Sequence, residues 1–232
     1  MGYDKLLKLM FVGVFVLMVS SLYMIFVYAP VEKTMGWVQK IFYYHLAAAF
    51  TAFLAFFVVF VSAIIYLVKK ESKYDIVGES AAEIGIVFTT IVLISGVLWA
   101  KPIWNIWWTW DPRLTTTFIL WLIYIAYLLL RINLRDNVNM PTYAAIFGII
   151  GFLDVPLVFM SIRWWRTIHP VVIRRTSIGL TKEMINVLII SIIANIFLFV
   201  VLLMLRVRIG KVQNELEVIK SIMEEELDRS KV

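Results

Sequence analysis

The 232-residue chain has no cysteine and only two histidines, and just 16% of its residues are charged. Without cysteine there is no disulfide framework, no thiolate metal site, no iron–sulfur cluster, no thiol nucleophile and no cofactor attached through C-x-x-C-H. Glycine is also scarce, at ten residues, which excludes a collagen-like chain, and the 62% apolar content excludes disorder. An ordinary soluble domain is about 45–50% apolar and about 25% charged. What remains is a polytopic membrane protein in which any imidazole chemistry must use His45 or His169.

What the chain does have is long apolar runs. A helix needs about 20 mostly apolar residues to cross the hydrocarbon core, and six stretches approach that length: 6–29, 44–68, 82–99, 114–130, 142–160 and 183–205. Charges and prolines separate them, as at Pro30-Val-Glu32-Lys33, Lys69-Lys70-Glu71 and Asp111-Pro112-Arg113. Only helices or closed barrels satisfy backbone polar groups in lipid, and these runs lack the alternation of a barrel. The expectation is an all-α polytopic membrane protein with six transmembrane helices in one domain, residues 1–210. Lys5 and Lys8 precede the first run as in a signal peptide. That run exceeds the roughly 7–15 residues of a signal core and no small-residue cleavage site follows it, so it reads as a retained anchor. Residues 211–232 form a charged tail with net charge −2, in which Val212, Leu216, Ile219, Met223 and Leu227 recur at helical spacing. The tail reads as a solvated extension of the last span, with a partner-binding coiled coil as the sharper alternative.

Six spans put both termini on one face with the loops near 69–81 and 131–141, and put 30–43, 100–113 and 161–182 on the other. Thirteen Lys and Arg fall on the terminal face and nine opposite. The positive-inside bias therefore favours cytoplasmic termini, with the odd loops on the outer side. The margin is narrow because the last odd loop holds Arg163, Arg166, Arg174, Arg175 and Lys182. Either that loop binds something anionic, or a late loop is tolerated once earlier spans have set the topology.

The odd face gathers the unusual residues. Trp99, Trp104, Trp107, Trp108 and Trp110 fall within twelve positions, more than an interfacial anchoring belt requires. Such a cluster suits a large, flat, apolar ligand whose polar rim is met by indole N–H groups and arginine. If the approach to the second span is helical, Trp37, Ile41 and His45 share a stripe. Trp165 lies four residues before His169, and Pro170 places that histidine at a helix end. Taken singly, either histidine reads as an interfacial hydrogen-bonding residue. Together on one face, with no Cys and no carboxylate cluster, they suit axial ligation of heme iron better than a tetrahedral zinc site.

The run Trp104-Asn-Ile-Trp107-Trp108-Thr-Trp110-Asp111-Pro-Arg113-Leu-Thr resembles the tryptophan-rich WWD signature of heme-handling proteins in cytochrome c maturation. Within them the chain is most similar to the CcmC family, heme exporter protein C, over essentially all six spans. The six-span length, the Asp-Pro-Arg-Leu-Thr continuation and Trp164-Trp165-Arg-Thr-Ile-His169 carry that resemblance. It implies a protein that is not an enzyme, although it assists covalent heme attachment to its partner. Such a protein holds heme b transiently at the outer, periplasmic face of the cytoplasmic (inner) membrane and delivers it to the heme chaperone CcmE. The axial ligands are then His45 and His169, and Trp104, Trp107, Trp108, Trp110 and Asp111 lie against the macrocycle. The implied partners are heme, CcmE, the CcmA/CcmB ABC transporter, the small subunit CcmD and membrane lipid, with no nucleic acid. The chain departs from the family's usual pattern at Asn105, where Gly is common, at Pro112, where Ala is common, and at Arg163, where an acidic residue is frequent.

Heme propionates need cations, and Lys101, Arg113, Arg163, Arg166 and Arg174 form the available set, unranked. Asp111 is open to three readings: orienting a side chain, engaging a partner, or capping the fourth span, where Asp-Pro is a common helix start. Glu83 and Asp154 lie in apolar runs and read as structural, Asp154 beside a helix break marked by Pro156. The alternative function is a bis-His cytochrome b-type electron-transfer subunit. Two hemes across a bilayer would need about four ligating histidines, against the two here.

Overall fold

The apolar runs become helices because the chain can satisfy its backbone in lipid no other way. A computed structural model describes residues 3–165 and 179–230, and among these residues there is no strand. The helices are α1 (Tyr3–Tyr23, continued by one π turn, Met24–Tyr28), α2 (Ile41–Lys69, entered through the 3₁₀ turn Trp37–Lys40), α3 (Ser72–Trp104), α4 (Pro112–Asn133), α5 (Met140–Phe152), α6 (Asp154–Trp164) and α7 (Lys182–Ser230). Helices α5 and α6 form one span broken at Leu153, so six segments are long and apolar enough to cross a membrane. The protein is an all-α, multi-pass membrane protein. The spans extend beyond the hydropathy boundaries. The third begins at Ser72 rather than 82, and α7 runs without interruption from the last span to Ser230.

Small residues let α2 and α3 approach closely. Ala48, Ala52 and Ala55 on α2 meet Ala81 and Ala82 on α3 in the main core, all essentially buried. Gly85 is required here, since a Cβ on it would lie 2.5 Å from the Phe56 ring. Phe56 in turn stacks on Tyr124 of α4 with ring centroids 3.7 Å apart. Hydroxyls inside the spans are satisfied locally: Thr51, Ser80, Thr89 and Ser191 each donate to the carbonyl four residues back. Helix α1 is tied to α7 by a buried hydrogen bond from Ser21 to Ser191, 3.0 Å long.

Several charges within the spans are paired toward the terminal face. Arg131 of α4 is 5% exposed and donates to both oxygens of Asp75, each at 2.7 Å, and to Glu79 at 3.1 Å. Glu83 meets Arg206 of α7, and Arg135 meets Glu217 farther along α7. Asp154, on the first turn of α6, is 8% exposed, and its Oδ2 has no hydrogen-bond partner among the described residues. These pairs fix α3, α4 and α7 on the terminal face and leave the opposite ends of α2, α3 and α4 to build the site.

Candidate functional site

The site begins with a turn that the sequence encodes directly. Helix α3 ends at Trp104, and Asn105 takes the left-handed conformation, φ 56°. Only Gly and, after it, Asn adopt that conformation readily, so Asn105 preserves a backbone geometry at the position where the resemblance expects Gly. Lys101 holds the turn by donating to the Asn105 carbonyl at 3.2 Å and to its Oδ1 at 2.9 Å. The chain then runs as an irregular segment to Asp111. The carboxylate of Asp111 accepts from the Arg113 backbone N–H at 3.0 Å, and Pro112 takes the first helical position of α4. Capping is thus one role that Asp111 fills.

Beneath this segment is a cavity of about 50 Å³, bounded by α2, α3, α4 and the Trp loop. Its lining includes His45, Gly96, Trp99, Trp104, Trp107, Trp108 and Arg113. Two signals far apart in the sequence, the second-span histidine and the Trp segment, therefore share one cavity. His45 Nδ1 lies 3.0 Å from Ser95 Oγ, and the imidazole centroid is 5.8 Å from that of Trp99. Trp99 is 7% exposed, and its indole N–H has no hydrogen-bond partner among the described residues, nor does the buried Thr109 hydroxyl. A buried donor without an acceptor costs about 1–3 kcal/mol and suits a site that an acceptor-bearing ligand completes.

The tryptophans divide into two sets. Trp99 and Trp104, with centroids 6.4 Å apart, stand on the His45 side. Trp110 packs edge-on against Trp108 and Trp108 edge-on against Phe118, while Phe118 stacks on Trp121, which donates to Thr90 Oγ1 at 2.9 Å. Trp108 borders both the His45 cavity and a wholly apolar groove of about 490 Å³ between α3 and α4, which Trp110 also lines. Trp107 and Trp110 are 56% and 74% exposed and form the rim.

Other expected features are placed differently. The approach to α2 is helical, but its first turn is 3₁₀ and Trp37 is exposed, with the Lys40 ammonium 4.5 Å above its ring. Lys40 is buried and donates to the Phe26 carbonyl at 2.7 Å, closing the end of the first span. Arg163 lies over the Phe159 ring. His169, Arg166, Arg174 and Arg175 lie outside the described residues. Among the described residues no group of three or more His, Cys, Asp or Glu could hold a metal ion. Reading from sequence singled out neither Ser95 nor Gly96, and it placed Trp99 in the cluster without assigning it to the site.

An imidazole, a rim of indoles and an arginine around one cavity can together meet a flat apolar ligand that carries an acidic or metal-bearing group. Comparison with known proteins agrees with that chemistry. The family model described as heme exporter protein C, CcmC, matches residues 3–221. The heme exporter protein C of Rhodobacter capsulatus is 32% identical over 190 residues, 79% of this chain and 77% of its own length. That of Bradyrhizobium diazoefficiens is 31% identical over 176 residues, 75% of this chain and 67% of its own. A putative cytochrome c biosynthesis ccmC-like mitochondrial protein of Marchantia polymorpha is 33% identical over 141 residues, 61% of this chain. The chain spans 59% of the length of that last relative. With the match running through the Trp segment, the His45 helix and most of α7, the chain belongs to the heme exporter protein C family.

Proposed function

We propose that this protein takes heme b as cargo at the outer face of the cytoplasmic membrane and hands it to a heme chaperone of the CcmE type during cytochrome c maturation. In this reading it works beside an ABC transporter of the CcmA/CcmB type and a small CcmD-like subunit, and it makes and breaks no bond in the cargo on its own account. The observation that carries the reading is the shared cavity, where the one described histidine lies under the Trp loop beside a buried indole N–H that has no partner among the described residues.

Heme as cargo supplies an iron that accepts two axial nitrogens, two propionates and a flat apolar face. His45 and His169 are the axial pair, and Trp104, Trp107 and Trp108 offer aromatic surface, with Trp110 and Asp111 at the edge. Among the cations that could meet a propionate, Arg113 lines the cavity, whereas Lys101 is already engaged with Asn105. A guanidinium can pair with a carboxylate through two parallel hydrogen bonds, which favours Arg113 on chemical grounds as well. Ligand sites for molecules of this kind run about 300–1,000 Å³, so the cavity of about 50 Å³ does not enclose a macrocycle. Cargo at His45 therefore needs the walls of the cavity to part. A site that opens to load also opens to release, as a transfer protein needs.

The test is optical. Purified protein loaded with ferric heme is compared with His45→Ala and His169→Ala. Each variant is expected to lose the six-coordinate low-spin spectrum. Both variants retaining it unchanged would sink the axial assignment, and a heme that cycles with a quinol in the purified protein would favour the electron-transfer alternative.

A further inference from the structure

We propose that Ser95 is a positioning residue for His45, fixing its imidazole as the Nδ1–H tautomer so that Nε2 is the ligating nitrogen. The inference rests on the reading of His45 as an axial ligand, and its geometry stands apart from that reading. Ser95 Oγ lies 2.6 Å from the Ile91 carbonyl one turn back on α3. Two oxygens approach that closely only with a proton between them, and a serine hydroxyl has one proton to give. Ser95 Oγ therefore meets His45 Nδ1, 3.0 Å away, as an acceptor. A neutral imidazole has one donor nitrogen and one acceptor nitrogen, and the hydrogen bond made at one assigns the other. Donation from Nδ1 leaves the lone pair on Nε2.

The neighbours of Ser95 on α3 hold the same ring. A Cβ on Gly96 would lie 3.2 Å from His45 Cε1, so the α3 backbone comes directly against the ring edge there. Trp99, one turn beyond Ser95, packs its indole on the imidazole. Ser95, Gly96 and Trp99 together constrain the ring by a hydrogen bond, a steric wall and an aromatic contact. A hydroxyl already satisfied by its own helix needs no neighbour, so a contact to the one described histidine is a use beyond backbone satisfaction. Partners of this kind orient metal-ligating histidines, and their loss typically weakens metal binding about 10–100-fold.

The experiment uses the full chain in lipid nanodiscs, labelled with ¹⁵N at the histidine rings, at about pH 8, where an ordinary imidazole is neutral. The chain has only two histidines, and the His169→Ala variant leaves the His45 ring alone in the spectrum. Without heme, His45 is expected to show a protonated Nδ1 and an unprotonated Nε2, with a mixture of tautomers in Ser95→Ala and the original state in Ser95→Thr. With ferric heme, Ser95→Ala is expected to bind about 10–100-fold more weakly and to shift the heme reduction potential, with Ser95→Thr recovering both. An Nε2–H tautomer in the unsubstituted ring overturns the proposal, as does a Ser95→Ala variant with unchanged tautomer, affinity and potential. If His45→Ala leaves heme binding intact while the tautomer results hold, the axial assignment fails and the Ser95 contact survives as a structural fact.

Discussion

Arg206 on α7 and Glu83 on α3 are joined through two contacts, Nε to Oε2 at 2.5 Å and Nη2 to Oε1 at 2.7 Å. The pair closes the terminal ends of two spans that are far apart in sequence, and both side chains are only partly exposed. Charge-assisted hydrogen bonds contribute about 1.5–3 kcal/mol, so Arg206→Ala is expected to destabilise the protein by about that amount. Equilibrium unfolding in detergent gives the value. A double-mutant cycle with Glu83→Gln should show strong coupling, and a coupling near zero would mean that solvent screens the pair.

Arg131 should be costlier to lose. Its side chain is 4% exposed and holds Asp75 and Glu79 together, so Arg131→Ala leaves two carboxylates without their cation. Breaking such a buried arrangement costs about 3–5 kcal/mol. Arg131→Lys keeps the charge without the planar fork and should recover only part of the loss. Midpoints ordered with Arg206→Ala below Arg131→Ala would contradict this ranking.

Asp111 separates capping from charge. Asn accepts the same backbone hydrogen bond, so Asp111→Asn is expected to keep stability, whereas Asp111→Ala loses about 0.5–2 kcal/mol. Equal losses in the two variants would show that the carboxylate charge, and not its acceptor oxygen, stabilises the start of α4.

At Asn105 the backbone decides the outcome. Asn105→Gly should be close to neutral in stability, and Asn105→Val should cost about 1–2 kcal/mol from the left-handed conformation, besides losing the side-chain oxygen that Lys101 holds. Hydrogen exchange over residues 105–111 should rise in the valine variant. Unchanged exchange would mean that the turn is held from elsewhere.

Gly96→Ala probes the histidine without disturbing the core. The added methyl comes within 3.2 Å of His45 Cε1, and the ring must yield by a few tenths of an ångström. Heme affinity is expected to fall while the unfolding midpoint changes little, and the reverse pattern would place the glycine's role in helix packing.

Most of the fold could be read from the sequence because lipid leaves the backbone few choices. The six runs became six spans, and the main disagreement lies where charge hid a helix. Residues 72–81 read as loop because Lys73, Asp75 and Glu79 interrupt the apolar pattern. In the fold, Asp75 and Glu79 face Arg131, a pairing that hydropathy along the chain does not register. At the site, the Trp segment, His45 and Arg113 were identifiable by residue type and do meet around one cavity. Ser95 and Gly96 were not, because their relation to His45 crosses from α3 to α2 and a lone Ser-Gly in an apolar helix resembles packing. A small polar pair at the depth of a histidine on the neighbouring span was the available signal.

Helix α7 has a mechanical consequence. Its 49 residues make a rod of about 73 Å at 1.5 Å per residue, more than twice the thickness of the hydrocarbon core. At one end Met184 and Val187 are buried with Trp99, Phe42 and Tyr43, beside the His45 cavity. Toward the other end Leu216, Ile219 and Met223 are exposed. The rod is anchored between these ends, where Gly210 packs on Ile76 and Arg206 on Glu83. Ser191 is also bonded to Ser21 and Glu217 to Arg135, so one uninterrupted helix connects the packing around Trp99 to the residues beyond Gly210.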